Sequence, residues 1–157
     1  MQTRVRPMTV DDIPILARWV AQVPLWQRYQ LSAEKAHRQF EAALQQQDIL
    51  LVADREEETR ACGFAWVMPQ GGFGHAYLRL IGVQPAYAGK GVGAALLAAA
   101  EARAAEHSPS MFLLVSDFNA GAQRFYRQHG YQQVGVVPAF VLPDVAEHIF
   151  YKPLQRT

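Results

Sequence analysis

The most constraining feature of this sequence is a glycine-rich turn between a predicted strand and a predicted helix. The β-prone run Tyr77–Val83 ends at Gln84 and Pro85, and the Ala- and Leu-rich run Val92–His107 has the composition of a long helix. A turn that opens a helix presents backbone N–H groups at the positive end of the helix dipole, and glycines let a ligand approach them. Residues 88–94 therefore predict a phosphate or pyrophosphate site.

A second motif follows the next predicted strand. Met111–Val115 is a continuous apolar run, which is typical of a strand covered on both faces. Asn119 then precedes a predicted helix, and Gly130 stands where a left-handed helix C-cap is expected. The residues that share one face of that helix are Ala122, Phe125, Tyr126 and His129.

The two motifs together resemble those of the GNAT N-acetyltransferase superfamily. The loop of that superfamily begins with Arg or Gln; here Ala88 takes that place, and Gly91 and Gly93 complete the pattern. Its second signature is a strand, an Asn, an Ala, a Phe-Tyr pair and a Gly followed by an aromatic residue. The matching residues are Asn119, Ala122, Phe125, Tyr126, Gly130 and Tyr131. The resemblance covers essentially the whole chain, although only these two blocks are specific.

The resemblance implies a single α/β (α+β) domain over residues 1–157. The patterns predict the order β, α, α, β, β, β, α, β, α, β, β. This order corresponds to a mixed, mostly antiparallel sheet of about six or seven strands flanked by about four helices. The family also has a splay between the fourth and fifth strands, at a bulge that here would lie near residues 81–83.

Local signals mark several boundaries of these elements. Thr9 and Asp12 form a potential capping box before the first helix, and Ser32 is a potential N-cap of the second. Ile49–Ala53 and Cys62–Val67 are predicted to form a hairpin. The polar connection of that hairpin contains three consecutive glutamates at residues 56–58, which are expected to be a solvated turn.

By this resemblance the protein is an N-acetyltransferase that moves an acetyl group from acetyl-CoA to a primary amine in a ternary complex. The Ile81 N–H would polarise the thioester carbonyl, and the Val83 backbone would pair with the pantetheine arm. The backbone amides of residues 88–94, that of Ala88 included, would hold the pyrophosphate. The residues expected to bind acetyl-CoA are Ile81, Gly82, Val83, Ala88, Gly89, Lys90, Gly91, Val92, Gly93, Ala94, Asn119 and Tyr126.

Tyr126 and Asn119 each have a functional and a structural interpretation. Tyr126 matches the tyrosine that protonates the departing thiolate, and a phenol is a suitable donor at neutral pH; alternatively it only packs beside Phe125. Asn119 is expected to contact the pantetheine arm, to cap the following helix, or to do both. Tyr126 and the Ile81 N–H are therefore the predicted catalytic groups.

The acceptor side is less defined by the sequence. Trp26 and Tyr29 lie between the first two helices and are predicted, with Tyr77, to line the acceptor pocket, although aromatic residues are more often core. Tyr77 also occupies the position where some family members carry a catalytic Glu, so no general base is assigned. His75 suits proton transfer chemically but is expected to be an exposed bystander.

Two other functions are compatible with parts of the sequence. Gly89, Gly91 and Ala94 also satisfy the G-x-G-x-x-A dinucleotide fingerprint, with Asp117 ending the next strand. In that fold the first glycine follows its strand almost directly, whereas here residues 84–88 intervene. A non-catalytic module that binds CoA or acyl-CoA as a sensor is the second alternative, favoured by Ala88 and by the missing Glu at Tyr77.

Composition excludes several classes of function. The chain has 15 basic and 14 acidic residues and no basic cluster, so neither nucleic acid nor a membrane is an expected partner. No apolar run is long enough to span a membrane, and a cytoplasmic location is expected. Cys62 is the only cysteine and the histidines lack ligand spacing, so a buried thiol and no metal site are expected. The apolar segment 140–142 suggests a homodimer interface or core.

Overall fold

The computed structural model describes residues 2–55 and 59–155 and contains seven strands and five α-helices in those ranges. The predicted turn at residues 56–58 lies outside them. The strands are β1 (Thr3–Pro7), β2 (Ile49–Arg55), β3 (Thr59–Gly72), β4 (His75–Val83), β5 (Ser110–Ser116), β6 (Gln132–Val137) and β7 (Glu147–Pro153). The helices are α1 (Ile13–Val20), α2 (Pro24–Arg28), α3 (Ala33–Gln45), α4 (Val92–Ala105) and α5 (Ala120–Gln128).

The strands form one mixed sheet in the order β1-β2-β3-β4-β5-β7-β6. Every pairing is antiparallel except that of β4 with β5, which is parallel. The parallel pairing extends only from Ala76 with Met111 to Leu78 with Leu113, and beyond it the two strands diverge. The predicted mixed sheet and the splay between the fourth and fifth strands are therefore confirmed.

The sheet separates two apolar clusters, because successive strand residues face opposite sides. The cluster on one face is built on helix α4 and includes Leu78, Leu96, Leu97, Met111 and Leu113. The cluster on the other face is built on helices α1 and α3 and includes Ile13, Leu16, Phe40, Val52 and Phe64. Cys62 is buried in the α4 cluster, as predicted, and this burial raises the pKa of its thiol.

A β-bulge at Arg79 changes which residues of β4 face each cluster. Leu78 pairs with Val67 and Leu80 pairs with Trp66, so Arg79 is an extra residue in β4. Leu78 faces the α4 cluster before the bulge, and Ile81 faces it after the bulge. The bulge was expected near residues 81–83, and it lies slightly earlier because the register shift occurs against Trp66 and Val67.

The helix boundaries follow the predicted caps with one difference. Thr9 and Asp12 form the capping box, around a 3₁₀ turn at Val10–Asp12 that leads into α1. The Ser32 hydroxyl accepts the Lys35 N–H and caps α3. The segment at Pro24 was expected to be a simple break, but it forms the short helix α2, since proline is favourable in the first helical turn.

A charged network joins β1, the 3₁₀ turn before α1, β2 and β3. Arg6 donates to both Asp12 oxygens at 2.8 Å and to Asp54 Oδ2 at 2.7 Å, and Arg60 donates to Asp12 at 3.0 Å. Burial by itself would raise the pKa of Asp12, but the bonds from Arg6 and the Thr9 N–H and the charges of Arg6 and Arg60 lower it to about 2. The network therefore holds a fully buried carboxylate in its ionised form.

The described residues form neither a membrane-spanning helix nor a cluster of metal ligands. Within residues 2–55 and 59–155, no helix combines the length and the apolar composition needed to cross a bilayer. In the same part of the chain, no three His, Cys, Asp or Glu side chains are grouped as metal ligands.

Candidate active site

Two cavities open where β4 and β5 diverge. The larger, of about 340 Å³, lies towards helices α2 and α3, and the smaller, of about 300 Å³, lies towards the first turns of α4 and α5. Both are lined by Ile81, Ala122 and Tyr126. The two cavities therefore meet at the splay, and these three residues form their common boundary.

The smaller cavity is a groove with an apolar and glycine-rich wall. Its lining residues are Ile81, Gly82, Val83, Gly93, Gly121, Ala122, Phe125 and Tyr126. The Gln84 N–H donates to the Cys62 carbonyl of β3 at 2.7 Å. Because alternate residues of an antiparallel strand direct their N–H and C=O to the same neighbour, Ile81 and Val83 direct theirs away from β3. These groups point into the gap, beyond the last pair of β4 with β5.

The glycine-rich loop lies at the N-terminus of α4. Gly89 and Gly91 have φ angles of 75° and 82°, which favour glycine, and a Cβ built at either residue would have no neighbour within 4 Å. Gly91 is the N-cap of α4. In the described part of the chain, the N–H groups of residues 89–94 donate to no protein acceptor. The loop therefore offers a row of open backbone donors to an anion.

Two contacts hold this loop against the sheet. The Arg55 guanidinium donates to the Lys90 carbonyl at 3.1 Å, and the hydroxyls of Thr59 and Tyr87 are 3.0 Å apart. The Ala88 N–H, however, donates to the Pro85 carbonyl at 3.2 Å, because residues 85–87 form a 3₁₀ turn. The open donors of the loop therefore begin at Gly89, and a contribution of the Ala88 amide to pyrophosphate binding stays a prediction.

Tyr126 lies at the junction of the two cavities. The residue is 7% exposed, and its ring packs against Phe125, Tyr131 and Phe150. Burial, and then the neighbouring Tyr77, raise the pKa of its phenol, so the hydroxyl is protonated at neutral pH. Among residues 2–55 and 59–155 this hydroxyl has no hydrogen-bond partner. It is a neutral donor at the boundary of both cavities.

Asn119 serves as the N-cap of α5. Its side-chain oxygen accepts the Ala122 N–H at 3.2 Å, and the residue also lines the larger cavity. The structural interpretation from the sequence is therefore confirmed. The side-chain amide group remains available to a ligand in that cavity.

Three predicted aromatic residues line the larger cavity. They are Trp26, Tyr29 and Tyr77. Trp26 is also part of the core, since its ring packs at a tilt against the rings of Trp19 and Phe64. The same ring covers Gly82, where a Cβ would lie 2.1 Å from the indole. Trp26 thus belongs to both the core and the cavity wall, and only glycine at position 82 permits this packing.

Sequence reasoning missed a buried carboxylate in the larger cavity. Glu147, the first residue of β7, is 6% exposed. The Tyr29 hydroxyl donates to Glu147 Oε2 at 2.6 Å. The Ser116 hydroxyl is within hydrogen-bond distance of both the Tyr29 oxygen and Glu147 Oε1, the latter at 3.4 Å, and its single proton is donated to one of them at a time. Each carboxylate oxygen keeps a lone pair for a ligand, so Glu147 can accept an ammonium proton in the cavity.

His75 is not a free surface residue as expected. It is half-buried, its Nδ1 is hydrogen-bonded to the Ser110 hydroxyl and its ring packs on Phe112. It lines neither cavity described above. The difference arises because β3 and β4 extend to Gly72 and His75, so the predicted loop is part of the sheet.

The larger cavity also contains polar residues that the sequence did not suggest. Arg79 lines it from the bulge of β4, and Lys35 and Gln39 line it from α3. Phe140 and Val141, which were suggested as an interface segment, are exposed and contribute to the cavity rim. None of these positions belongs to a local motif, so only their three-dimensional arrangement identifies them.

The family assignment follows from a comparison with known protein families. The model of the acetyltransferase (GNAT) family matches residues 16–131, which include both motifs and most of the cavity walls. The chain belongs to this family. The match agrees with the resemblance seen in the sequence.

One relative matches about half of this chain in sequence. A mycothiol acetyltransferase of Clavibacter michiganensis subsp. michiganensis (strain NCPPB 382) is 35% identical over 88 residues, which are 55% of this chain and 28% of that protein. The chain thus matches little more than a quarter of that relative's length.

Solved structures show the same fold over nearly the whole chain. A GNAT family acetyltransferase from Bacillus cereus ATCC 10987 has a TM-score of 0.80 at 19% identity and covers 99% of this chain and 100% of its own. An aminoglycoside 6'-N-acetyltransferase complexed with coenzyme A has a TM-score of 0.78 at 16% identity, with 98% of both chains covered. The complex with coenzyme A is consistent with acetyl-CoA as the donor in this fold.

Proposed function

We propose that this GNAT protein transfers an acetyl group from acetyl-CoA to a primary amine. The main observation behind the proposal is that two cavities meet at Ile81 and Tyr126. One continues to a loop of open backbone donors, which suits an anionic, elongated donor. The other is lined by aromatic residues and contains Glu147, which suits an amine. Residues 1–157 are proposed to form a single domain of this kind.

The smaller cavity and the glycine-rich loop fit acetyl-CoA. The amides of residues 89–94 would hold the pyrophosphate, since they are open and lie at the N-terminus of α4. The Lys90 side chain is exposed beside them. The groups of Ile81 and Val83 that point into the gap would pair with the pantetheine arm. When bound, acetyl-CoA supplies the activated acetyl thioester.

Three groups of the chain are proposed to move or stabilise charge during the transfer. Glu147 accepts the proton of the acceptor ammonium, which frees the amine lone pair for attack. The Ile81 N–H donates to the thioester oxygen as negative charge develops on it. Tyr126 then gives its phenolic proton to the departing sulfur as the C–S bond breaks, and the second proton lost by the attacking nitrogen as the amide forms restores the phenol. Tyr29 and Ser116 orient Glu147 through their hydrogen bonds.

The decisive experiment combines binding with turnover. Acetyl-CoA, CoA and NAD are titrated calorimetrically into the protein, and thiol release is then followed with a panel of primary amines. We expect binding of acetyl-CoA and CoA but not NAD, and amine-dependent thiol release. Binding of NAD alone would support the dinucleotide alternative, and CoA binding without turnover on any amine would support the sensor alternative.

Some expectations from the sequence remain proposals. They concern a cytoplasmic location, a small-molecule or peptide acceptor rather than nucleic acid or a membrane, and a homodimer. Phe140 and Val141 are each 58% exposed, which leaves this apolar segment accessible to a second subunit. Size-exclusion chromatography with light scattering would test the dimer, since Phe140→Ser should shift a dimer towards monomer.

A further inference from the structure

The larger cavity carries more positive charge than acetyl transfer to an amine requires. Its charged lining residues are Lys35, Arg79 and Glu147. Two cations therefore face one carboxylate, although an amine acceptor arrives as a cation itself. If Glu147 pairs with the acceptor ammonium, the positive charges of Lys35 and Arg79 have no negative charge opposite them in the cavity. A negatively charged group on the acceptor can supply it.

Arg79 packs on an aromatic ring and has no acidic partner among the described residues. As the extra residue of the β4 bulge, it departs from the regular alternation of the strand. Its guanidinium carbon lies 4.7 Å from the ring centroid of Trp66, whose indole N–H donates to Asp48 at 2.9 Å. Among residues 2–55 and 59–155, no carboxylate lies within 4.0 Å of Arg79. The contact of the guanidinium with the Trp66 ring still leaves its N–H groups able to donate to an oxyanion.

Tyr77 lines the same cavity as Arg79 and Glu147. Burial raises the pKa of the Tyr77 phenol, the charge of Arg79 lowers it and the charge of Glu147 raises it. Arg79 and Glu147 line the same cavity of about 340 Å³ as Tyr77, and within the described residues they form no ion pair with each other. A single small molecule can thus contact both. The remaining wall is largely apolar and includes Leu25, Trp26, Leu31, Leu80 and Val141.

We propose that the acceptor is an amino acid with an apolar side chain, bound through its carboxylate to Arg79 and through its ammonium to Glu147. This inference rests on the proposed acetyl transfer and adds the substrate class. Arg79 presents two parallel N–H donors that match the two oxygens of a carboxylate. Lys35, at the exposed rim, contributes a weaker attraction.

Matched acceptors test the role of the carboxylate. The value of kcat/KM is measured with L-phenylalanine, L-phenylalaninamide and 2-phenylethylamine, and with L-leucine, L-leucinamide and 3-methylbutylamine. Within each set the apolar body is constant, and only the carboxylate is masked or removed. We expect the acids to be preferred by roughly 10- to 100-fold, as for one charge-assisted pair.

Variants of Arg79 test whether this residue causes the preference. Arg79→Met should lower kcat/KM for the acids by roughly 10- to 100-fold and leave the amides and amines nearly unchanged. Arg79→Lys keeps the charge without the fork and should recover part of the loss. A merely structural role beside Trp66 would lower all three acceptor types equally. Equal use of acids and amines by the wild type would overturn the proposal.

Binding separates this inference from the proposed reaction. If no amine releases thiol, acetyl transfer is not supported, but acceptor recognition can still be measured on the CoA-saturated protein by calorimetry. Tighter binding of N-acetyl-L-phenylalanine than of N-acetyl-2-phenylethylamine, lost in Arg79→Met, would support a carboxylate site. Equal binding of the two compounds, or no binding of either, would overturn it.

Discussion

The two cavities at the splay are built in different ways. The smaller one uses backbone groups: the gap-facing edge of β4 and the open amides of residues 89–94. The larger one uses side chains from α2, α3, β4, β5 and β7, among them Tyr29, Arg79 and Glu147. Backbone recognition depends on local chain geometry, whereas side-chain recognition depends on residues far apart in sequence. The first can be retained while the second changes, so we expect the larger cavity, the proposed acceptor side, to determine what is specific to this protein.

The largest effect is expected on the acceptor side, from Glu147→Gln. Glutamine keeps the shape but cannot accept the ammonium proton, so turnover should fall by about 1000-fold, within the usual range for a general base. The acetyl-CoA dissociation constant should not change, since Glu147 does not line the smaller cavity. Steady-state kinetics and calorimetry measure the two quantities.

Glu101 provides a matched control for Glu147. It is also a partly buried carboxylate with a tyrosine partner, since Tyr131 donates to it at 2.9 Å and Lys152 pairs with it, but it lines neither cavity. Glu101→Gln should retain turnover even if stability falls. Similar losses in both variants would show that the effect of Glu147→Gln is structural.

The second largest effect is expected at the boundary, from Tyr126→Phe. Loss of the hydroxyl should reduce turnover by about 100-fold while the affinity for acetyl-CoA remains nearly unchanged, because the ring still packs against Phe125. Tyr131→Phe is the control, since Tyr131 is equally buried, contacts the Tyr126 ring and lines neither cavity. Unchanged turnover in Tyr126→Phe would remove Tyr126 from the role of acid.

A smaller effect is expected on the backbone side, from Gly91→Ala. The φ angle of 82° makes alanine unfavourable by about 1 kcal/mol, and the added Cβ projects into the open space of the loop. The dissociation constant for acetyl-CoA should rise about 10-fold, equivalent to about 1.4 kcal/mol. Isothermal titration and thermal unfolding measure the two changes.

Gly74→Ala separates strain from ligand contact. Gly74 has a φ angle of 83° and equally open surroundings, but it lies in the turn between β3 and β4, away from both cavities. The two variants should lose similar stability, and only Gly91→Ala should bind acetyl-CoA more weakly. Equal affinities in both would contradict the assignment of the loop.

The same contrast explains how much of the molecule the sequence could predict. The strands and helices were predicted because apolar periodicity and caps such as Thr9 and Ser32 are local signals. The full length of β3 was missed, since Pro69 and the glycines after it are typical of a break. The glycine-rich loop was predicted as one contiguous motif, in which the 3₁₀ turn already uses the amide of Ala88.

The acceptor side could not be predicted in the same way. Tyr29 and Glu147 are 118 positions apart, and no local pattern relates them. Arg79 enters the cavity at a bulge whose position depends on the register of β3 with β4. Glu147 is buried and lines the cavity, unlike Asp12, which is buried but lies outside it. The burial of Glu147 depends on contacts with Tyr29 and Ser116, which are distant in sequence.

The smallest effect on activity is expected from the charged network of Arg6, Asp12 and Asp54, because these residues line neither cavity. The pKa of Asp12 is lowered from 3.8 to about 2 in the folded protein. A lowered folded-state pKa stabilises the protein at pH values above about 4, and this contribution is lost as the pH falls towards 2. At about 1.4 kcal/mol per pKa unit, Asp12 contributes about 2 kcal/mol at neutral pH.

Asp12→Asn should therefore lower the free energy of unfolding by at least about 2 kcal/mol at pH 7, and the difference from wild type should shrink between pH 4 and pH 2. Urea unfolding over this pH range measures it, and Asp11→Asn, at an exposed neighbour, is the control. The value of kcat/KM at 25 °C should not change, since Arg6, Asp12 and Asp54 line neither cavity.

A difference in stability that did not vary with pH would assign the effect of Asp12 to packing rather than to its charge. A fall in kcat/KM without unfolding would instead show that the β1–β2 edge is coupled to the splay.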